Sequence, residues 1–334
     1  ESGEKREYTY DDTLEPLLGY IRKYNKGDLI VVSGVKGVEK YFETRLEPSQ
    51  DGYVKGLRDL GFNVILNNKS TYKERIDGYD LYLNIPLKLQ KKLERIVDKY
   101  KKELEAKEII AGIMDAQSGN ILALATSNRF NPNDIKQKDY PNLNLNAIEL
   151  SFEPGSVLKP IVYSLLLDKK LINPYEVIEL HNGRYTIGKK TITDTHRLEK
   201  GSMEDIIIQS SNIGMAKISQ RLEAQDYHDG LSNFGFSKLT KIDLPYENTG
   251  LLPGTHLFKS EVYKATVSYG YGLRTTFIQL LNAFNVFNAD GYLIQPRVLN
   301  YIVSNDGTKY GIRSDPPSKV ISDTTAESLK QLLI

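Results

Sequence analysis

The stretch that most constrains this chain is Glu153-Pro154-Gly155-Ser156-Val157-Leu158-Lys159-Pro160, followed at once by an apolar run. Pro154 and Gly155 end whatever precedes them. Val157, Leu158, Ile161, Val162, Leu165 and Leu166 then recur at helical spacing, so a buried helix is predicted to begin at or near Ser156. Three residues make almost one turn, which puts Lys159 on the same face as Ser156, with hydroxyl and amine expected to touch. A serine hydroxyl is a weak nucleophile until a base takes its proton, and a lysine in an apolar pocket can be neutral enough to do so. The positive end of the helix favours an oxyanion, and the Ser156 backbone N–H is a candidate donor to it.

Ser-x-x-Lys alone is a weak pattern: Ser33-Gly-Val-Lys36 and Ser70-Thr-Tyr-Lys73 match it as well. Neither opens an apolar helix. Serine is also a favoured helix N-cap, so Ser156 taken alone reads as readily as a cap.

Composition removes several other chemistries. The 44 basic and 43 acidic residues leave a formal charge of +1, so no global field recruits nucleic acid. With no cysteine, thiol catalysis and disulfides are excluded. His181, His196, His228 and His256 are scattered without metal-site spacing, and no metal or cofactor is called for. A chain of 334 residues with 40% hydrophobic content holds one large domain or two smaller ones. No apolar run has the length of a membrane span.

Residues 1–79 are polar and Gly-punctuated. A helix is predicted over 14–23, strands over 29–33 and 63–67, and a short helical stretch over 38–46. A strand at 80–85 and a long helix striped by Leu89, Leu93, Ile96, Val97, Tyr100 and Leu104 open the second part. Residues 109–114 and 121–126 read as a β-hairpin. Further on, Ser202 caps one helix, Ser210-Ser211-Asn212 lies in the joint before the next, and Thr275-Thr276 caps a third. The last helix, from about Thr324, is still apolar at Leu332, Leu333 and Ile334, from which further C-terminal structure is expected.

Gly155-Ser156-x-x-Lys159-Pro160 followed by Ser210-x-Asn212 is far more specific than either piece. Together they resemble the transpeptidase domain of a class B penicillin-binding protein, a family with Ser-x-x-Lys, Ser-x-Asn and Lys-Thr-Gly motifs. Met114-Asp115, Gly119-Asn120-Ile121, Phe130-Asn131-Pro132, Asp194-Thr195-His196 and Tyr269-Gly270-Tyr271-Gly272-Leu273 are similar to family signatures, and 34–65 resembles the N-terminal pedestal linker. Glu-Pro-Gly-Ser and Ser-Ser-Asn-Ile-Gly resemble the septal, cell-division branch. No Lys-Thr-Gly follows Asn212; it is expected beyond Ile334.

The resemblance implies an α+β fold: a central antiparallel sheet flanked by helices, an all-helical subdomain, a pedestal at 1–79 and a transpeptidase domain from 80 to 334. It implies a peptidoglycan D,D-transpeptidase acting on D-Ala-D-Ala stem peptides, and a target of β-lactam antibiotics. Catalysis would fall to Ser156, Lys159, Ser210 and Asn212, with no cofactor. Ser156 would be nucleophile, Lys159 base and Ser210 proton relay, while the Asn212 amide would bind the donor backbone and steady Lys159. Asp194 and His196 would hold the loop before the second motif, and Gly270 and Gly272 would permit tight packing beside the cleft. A glycosyltransferase and other cell-division proteins would be partners. An N-terminal anchor would hold the catalytic domain on the outer face of the bacterial inner membrane. Two other readings stay open: a serine β-lactamase or β-lactam sensor, and a non-catalytic cell-division scaffold.

Overall fold

The computed structural model describes residues 6–26, 29–61 and 63–334. Its centre is the hairpin Ile110–Met114 and Ile121–Thr126, paired antiparallel from Ile110 against Thr126. The helix Leu87–Glu103 covers one face. Its Gln90, fully buried, donates from Nε2 to the Leu124 carbonyl at 3.0 Å and accepts from the Leu124 N–H at 3.0 Å, so the helix is fastened to the strand by side chain as well as by packing. The helix Phe277–Asn288 covers the other face. There Gly112 leaves room for Phe277, whose ring would stand 2.9 Å from a Cβ at that position.

A three-stranded antiparallel sheet continues the layer: Leu299–Val303 lies between Asp80–Leu83 and Lys309–Gly311. The two pieces are stitched where the Ile121 N–H donates to the Arg297 carbonyl at 2.8 Å and the Arg297 N–H to that of Gly119 at 3.0 Å. Sheet with helices on both faces is the α+β arrangement expected from the sequence.

The helices form a second core. Leu158, just before the helix Lys159–Asp168, and Ile161, Val162, Leu165 and Leu166 of that helix pack with Met203 and Ile206, Met215 and Ile218, Tyr227 and Leu231, and Val286 and Leu329. Every one of these is at most 5% exposed, which is why this helix is apolar all round rather than striped. Ser202 caps Met203–Ile208, accepting from the Asp205 N–H at 3.1 Å. Among the described residues no helix is long and apolar enough to cross a membrane.

The N-terminal part holds the paired strands Ile21–Lys26 and Leu29–Gly34, the short helices Gly37–Tyr41 and Glu43–Leu46, and an exposed hairpin of Tyr53–Lys55 with Thr71–Lys73. Leu17, Val38 and Phe42 share one apolar cluster with Ile121, Ile148, Val298 and Leu299, so the core runs without a gap past residue 79.

Two sequence expectations fail here. Residues 14–23 are not a helix but turns leading into the strand Ile21–Lys26, because Gly19 sits at φ +79° against Lys36, where a Cβ would meet the Lys36 carbonyl at 2.0 Å. Leu14 and Leu17 are buried from a turn instead. Residues 63–67 form no strand beyond a single bridge from Val64 to Arg58. Ile65 and Leu66 stay exposed, so their alternation has no face to bury.

Candidate active site

Three segments converge on Ser156. The first is the turn itself: Gly155 at φ +63° reverses the chain, and Gly155–Leu158 forms a 3₁₀ turn running into Lys159–Asp168. Pro160 falls in the first helical turn, where its missing N–H forfeits no bond. Ser156 therefore opens the helix as the spacing predicts. Its N–H is among the first-turn donors that no helical carbonyl takes.

The second segment is Tyr269 to Thr276, which clamps the turn from outside. Gly155 N–H donates to the Gly270 carbonyl at 2.9 Å, and Gly272 N–H donates to Glu153 Oε1 at 2.8 Å. Thr275–Thr276 pairs with Ser151–Phe152, and the Arg274 guanidinium donates to the Ser151 hydroxyl at 3.2 Å and to its carbonyl. The close backbone approach expected of Gly270 is present. Tyr271 is half exposed beside buried Tyr269, with ring centroids 6.0 Å apart.

The third segment is the joint Ser210-Ser211-Asn212. Its serines divide the work. Ser211 caps the helix Asn212–Ile218, its hydroxyl accepting from the Gly214 N–H at 2.9 Å. Ser210 is in the left-handed region at φ +52°, and this turn brings both its carbonyl and its hydroxyl onto Lys159. Lys159 Nζ donates to the Ser210 carbonyl and lies 3.0 Å from Ser210 Oγ.

The expected contact between Ser156 and Lys159 is replaced by this one. The Ser156 hydroxyl is exposed and makes no hydrogen bond among the described residues, while the amine turns to the stronger carbonyl acceptor of Ser210. Asn212 also departs from expectation. Its side-chain amide donates to the Thr193 carbonyl at 3.1 Å and makes no hydrogen bond to Lys159.

Lys159 is 2% exposed. Burial pushes its amine down to about 8, against the opposing charge of Asp194. An amine so placed can accept a proton, and the Ser210 hydroxyl can carry one between it and a group in the open cleft.

Asp194 is the site residue whose role the sequence understated. It accepts from the Ser211 hydroxyl at 2.5 Å and from the N–H groups of Asn212 at 2.6 Å and Ile213 at 3.1 Å, so one carboxylate holds the start of the helix that carries Asn212. An acidic residue in Asp194-Thr195-His196, ahead of Ser210-x-Asn212, is the available signal. His196, its neighbour in the same signature, is exposed and forms no hydrogen bond among the described residues.

Comparisons with known proteins place the chain in a family. The model of the penicillin binding protein transpeptidase domain matches residues 109–334. The chain is 28% identical over 325 residues to penicillin-binding protein PbpB of Mycobacterium tuberculosis, covering 94% of this chain and 47% of that protein. It is 32% identical over 258 residues to peptidoglycan D,D-transpeptidase FtsI of Buchnera aphidicola, covering 77% of this chain and 44% of the relative. The chain thus spans about half the length of the curated relatives it matches. Among solved structures, penicillin binding protein 3 of Mycobacterium tuberculosis complexed with aztreonam is similar at a TM-score of 0.84 and 26% identity, over 98% of this chain and 68% of that one. With its helical core, sheet and motif-bearing turns arranged around Ser156, the chain belongs to the penicillin-binding protein transpeptidase domain family, in its class B branch.

Proposed function

We propose that this protein is a peptidoglycan D,D-transpeptidase that works through a serine acyl-enzyme, and that β-lactams acylate the same serine. The observation that carries the reading is the buried Lys159 amine, held by Ser210 and three residues along the helix start from the exposed Ser156. Ser156 Oγ attacks the carbonyl of the penultimate D-alanine. Lys159 takes the hydroxyl proton, with Ser210 as relay, and the peptide C–N bond breaks as the terminal D-alanine leaves with a proton. An amine of a neighbouring strand then attacks the ester and restores Ser156. The orphan Ser156 N–H is one oxyanion donor, and the Asn212 amide, now on Thr193, turns to the donor peptide backbone.

The relatives named FtsI and PbpB support a septal role in cell division, with a glycosyltransferase and other division proteins as partners. In that reading residues 1–79 belong to a pedestal and 80–334 to the transpeptidase domain. The catalytic domain faces outward from the bacterial inner membrane, to which the protein is anchored.

The test is the intact mass of the full natural chain after addition of benzylpenicillin. One stable adduct on the peptide containing Ser156, absent in Ser156→Ala, is the expected result. Labelling that survives Ser156→Ala refutes the nucleophile. Rapid loss of the adduct favours a β-lactamase, and no adduct favours a scaffold.

A further inference from the structure

The hairpin that leads into the second motif, Arg184–Ile187 with Lys190–Thr193, turns one face to the helices. Ile187 pairs with Lys190 and Tyr185 with Ile192, so these four side chains share that face. Ile187 and Ile192 are buried in one cluster with Ile213 and Ala216 of the helix Asn212–Ile218 and with Ala265 and Tyr269. The turn Gly188-Lys189 rests on the helix Glu261–Ser268, where a Cβ on Gly188 would come 3.3 Å from the Val262 side chain. Lys190 is the odd member of the face. It stands where the alternation of the strand calls for an apolar residue, and among the described residues it has no carboxylate partner.

An ammonium on such a face needs an acceptor, and Thr266 supplies it. Lys190 Nζ donates to Thr266 Oγ1 at 2.9 Å and lies 5.6 Å from the centre of the Tyr269 ring. The Thr266 hydroxyl gives its own proton to the Val262 carbonyl at 2.7 Å, which leaves its lone pairs to the ammonium. Thr266 is also where the helix end holds the segment that clamps the nucleophile turn. Its carbonyl accepts from the Tyr271 N–H at 3.2 Å, the Val267 carbonyl accepts from the Gly270 N–H at 2.8 Å, and the Gly270 carbonyl takes the Gly155 N–H. At the far end of the Lys190 strand, the Thr193 carbonyl holds the Asn212 amide, and Asp194 follows with its bonds to Ser211, Asn212 and Ile213. One side-chain bond therefore spans the segment behind Asn212 and the segment behind Gly155.

We propose, on the reading of Ser156 as nucleophile, that Lys190 is a positioning residue for acylation: its bond to Thr266 fixes the strand that carries Thr193 against the helix end that holds the Ser156 clamp. The apolar cluster keeps the two elements in contact, but apolar contact is non-directional, whereas the bond from the ammonium to a single hydroxyl selects one placement. Small misplacements of reacting groups are costly in rate, so the bond acts on acylation without touching the ligand.

The experiment is acylation of the full natural chain by benzylpenicillin over a range of concentrations, followed by intact mass, which separates the affinity of the first complex from the rate at saturation. Lys190→Met keeps the apolar stem and loses the ammonium. Its saturated rate is expected to fall about 10-fold or more, and its affinity by less. Thr266→Val, of the same shape without the acceptor, is expected to reproduce the fall, and the double variant to fall no further than either single one. Lys190→Arg, which keeps a charged donor, is expected to recover most of the rate. Urea denaturation of each variant gives the folded fraction, and Thr266→Val serves if Lys190→Met does not fold. A native saturated rate in either single variant, falls that add in the double variant, a loss that Lys190→Arg leaves in place, or a loss accounted for by the unfolded fraction overturns the proposal. In all of these the adduct on Ser156 of the unaltered chain leaves the nucleophile standing. No adduct on the unaltered chain overturns that reading and the role of Lys190 with it.

Discussion

Gly155 and Gly270 meet backbone to backbone: the N–H of the first donates to the carbonyl of the second at 2.9 Å, and a Cβ on Gly270 would stand 1.8 Å from the Gly155 carbonyl oxygen. No side chain fits, and φ at Gly270 is +88°, a region L residues rarely adopt. Gly270→Ala is therefore expected to cost at least ~3 kcal/mol or to push the nucleophile turn out of place. Urea denaturation with benzylpenicillin acylation measures both. A variant with native stability and native acylation would show that this contact does not position Ser156.

Lys159 gives the site its pH dependence. As base the amine must be neutral, so acylation is expected to rise with pH and to level off above about 8, the value to which burial lowers it. Stability moves in the same direction. The folded amine releases its proton more readily than the unfolded one, so between about 8 and the ordinary lysine value the unfolded chain binds more protons, and stability rises with pH across that window. Lys159→Met removes that rise and slows acylation by at least ~10³-fold, within the range for losing a general base and its nucleophile activation. Denaturation at two pH values on either side of 8, compared between the two proteins, isolates the lysine contribution. A wild-type acylation rate flat from pH 6 to 9 would rule the amine out as base.

Asp194 acts on the same lysine at one remove. Its charge raises the amine against burial, and its oxygens hold Ser211, Asn212 and Ile213. Asp194→Asn keeps the size but loses the charge and cannot accept all three bonds. The acid limb of the acylation profile should move to lower pH, while stability falls by about 2–4 kcal/mol through weakened charged hydrogen bonds. A purely structural role would lower stability without moving the limb.

The active-site turn was legible because its rule is local. Helical apolar spacing after Pro154-Gly155 fixes where the helix starts, and i,i+3 puts Ser156 and Lys159 on one face. Which hydroxyl the amine then chooses is not local. It depends on Ser210 entering the left-handed region at the end of another helix, and serine carries no strong signal for that. The helix expected over 14–23 failed for a related reason. Leu14, Leu17 and Leu18 have helical spacing, but Gly19 and Gly37 pack so closely that a Cβ on Gly37 would meet the Leu17 carbonyl at 2.3 Å. That long-range approach overrides the pattern. By contrast, the cap roles of Ser202 and Thr276 follow from adjacent residues alone, and both accept the N–H three residues on.

Thr276 belongs to a reciprocal cap with Gln279, and that pair ties the rear of the site together. Gln279 is 1% exposed. Its Oε1 accepts from the Thr276 N–H at 2.9 Å, and its Nε2 donates to the carbonyls of Lys238 and Thr249, both at 2.8 Å. Gln279→Leu keeps the volume but leaves these buried groups without partners, each worth ~1–3 kcal/mol, so a loss of about 3 kcal/mol or more is expected in urea denaturation. Thr276 pairs with Ser151, five residues before the nucleophile, so loosening the cap also frees the strand that feeds the turn. Acylation should slow alongside the loss of stability, and adding back Glu at 279, which can accept but not donate, should restore the cap bond while leaving the Lys238 and Thr249 carbonyls unserved. If Gln279→Glu and Gln279→Leu slowed acylation equally, the bonds to Lys238 and Thr249, not the cap, would be what holds the strand in register.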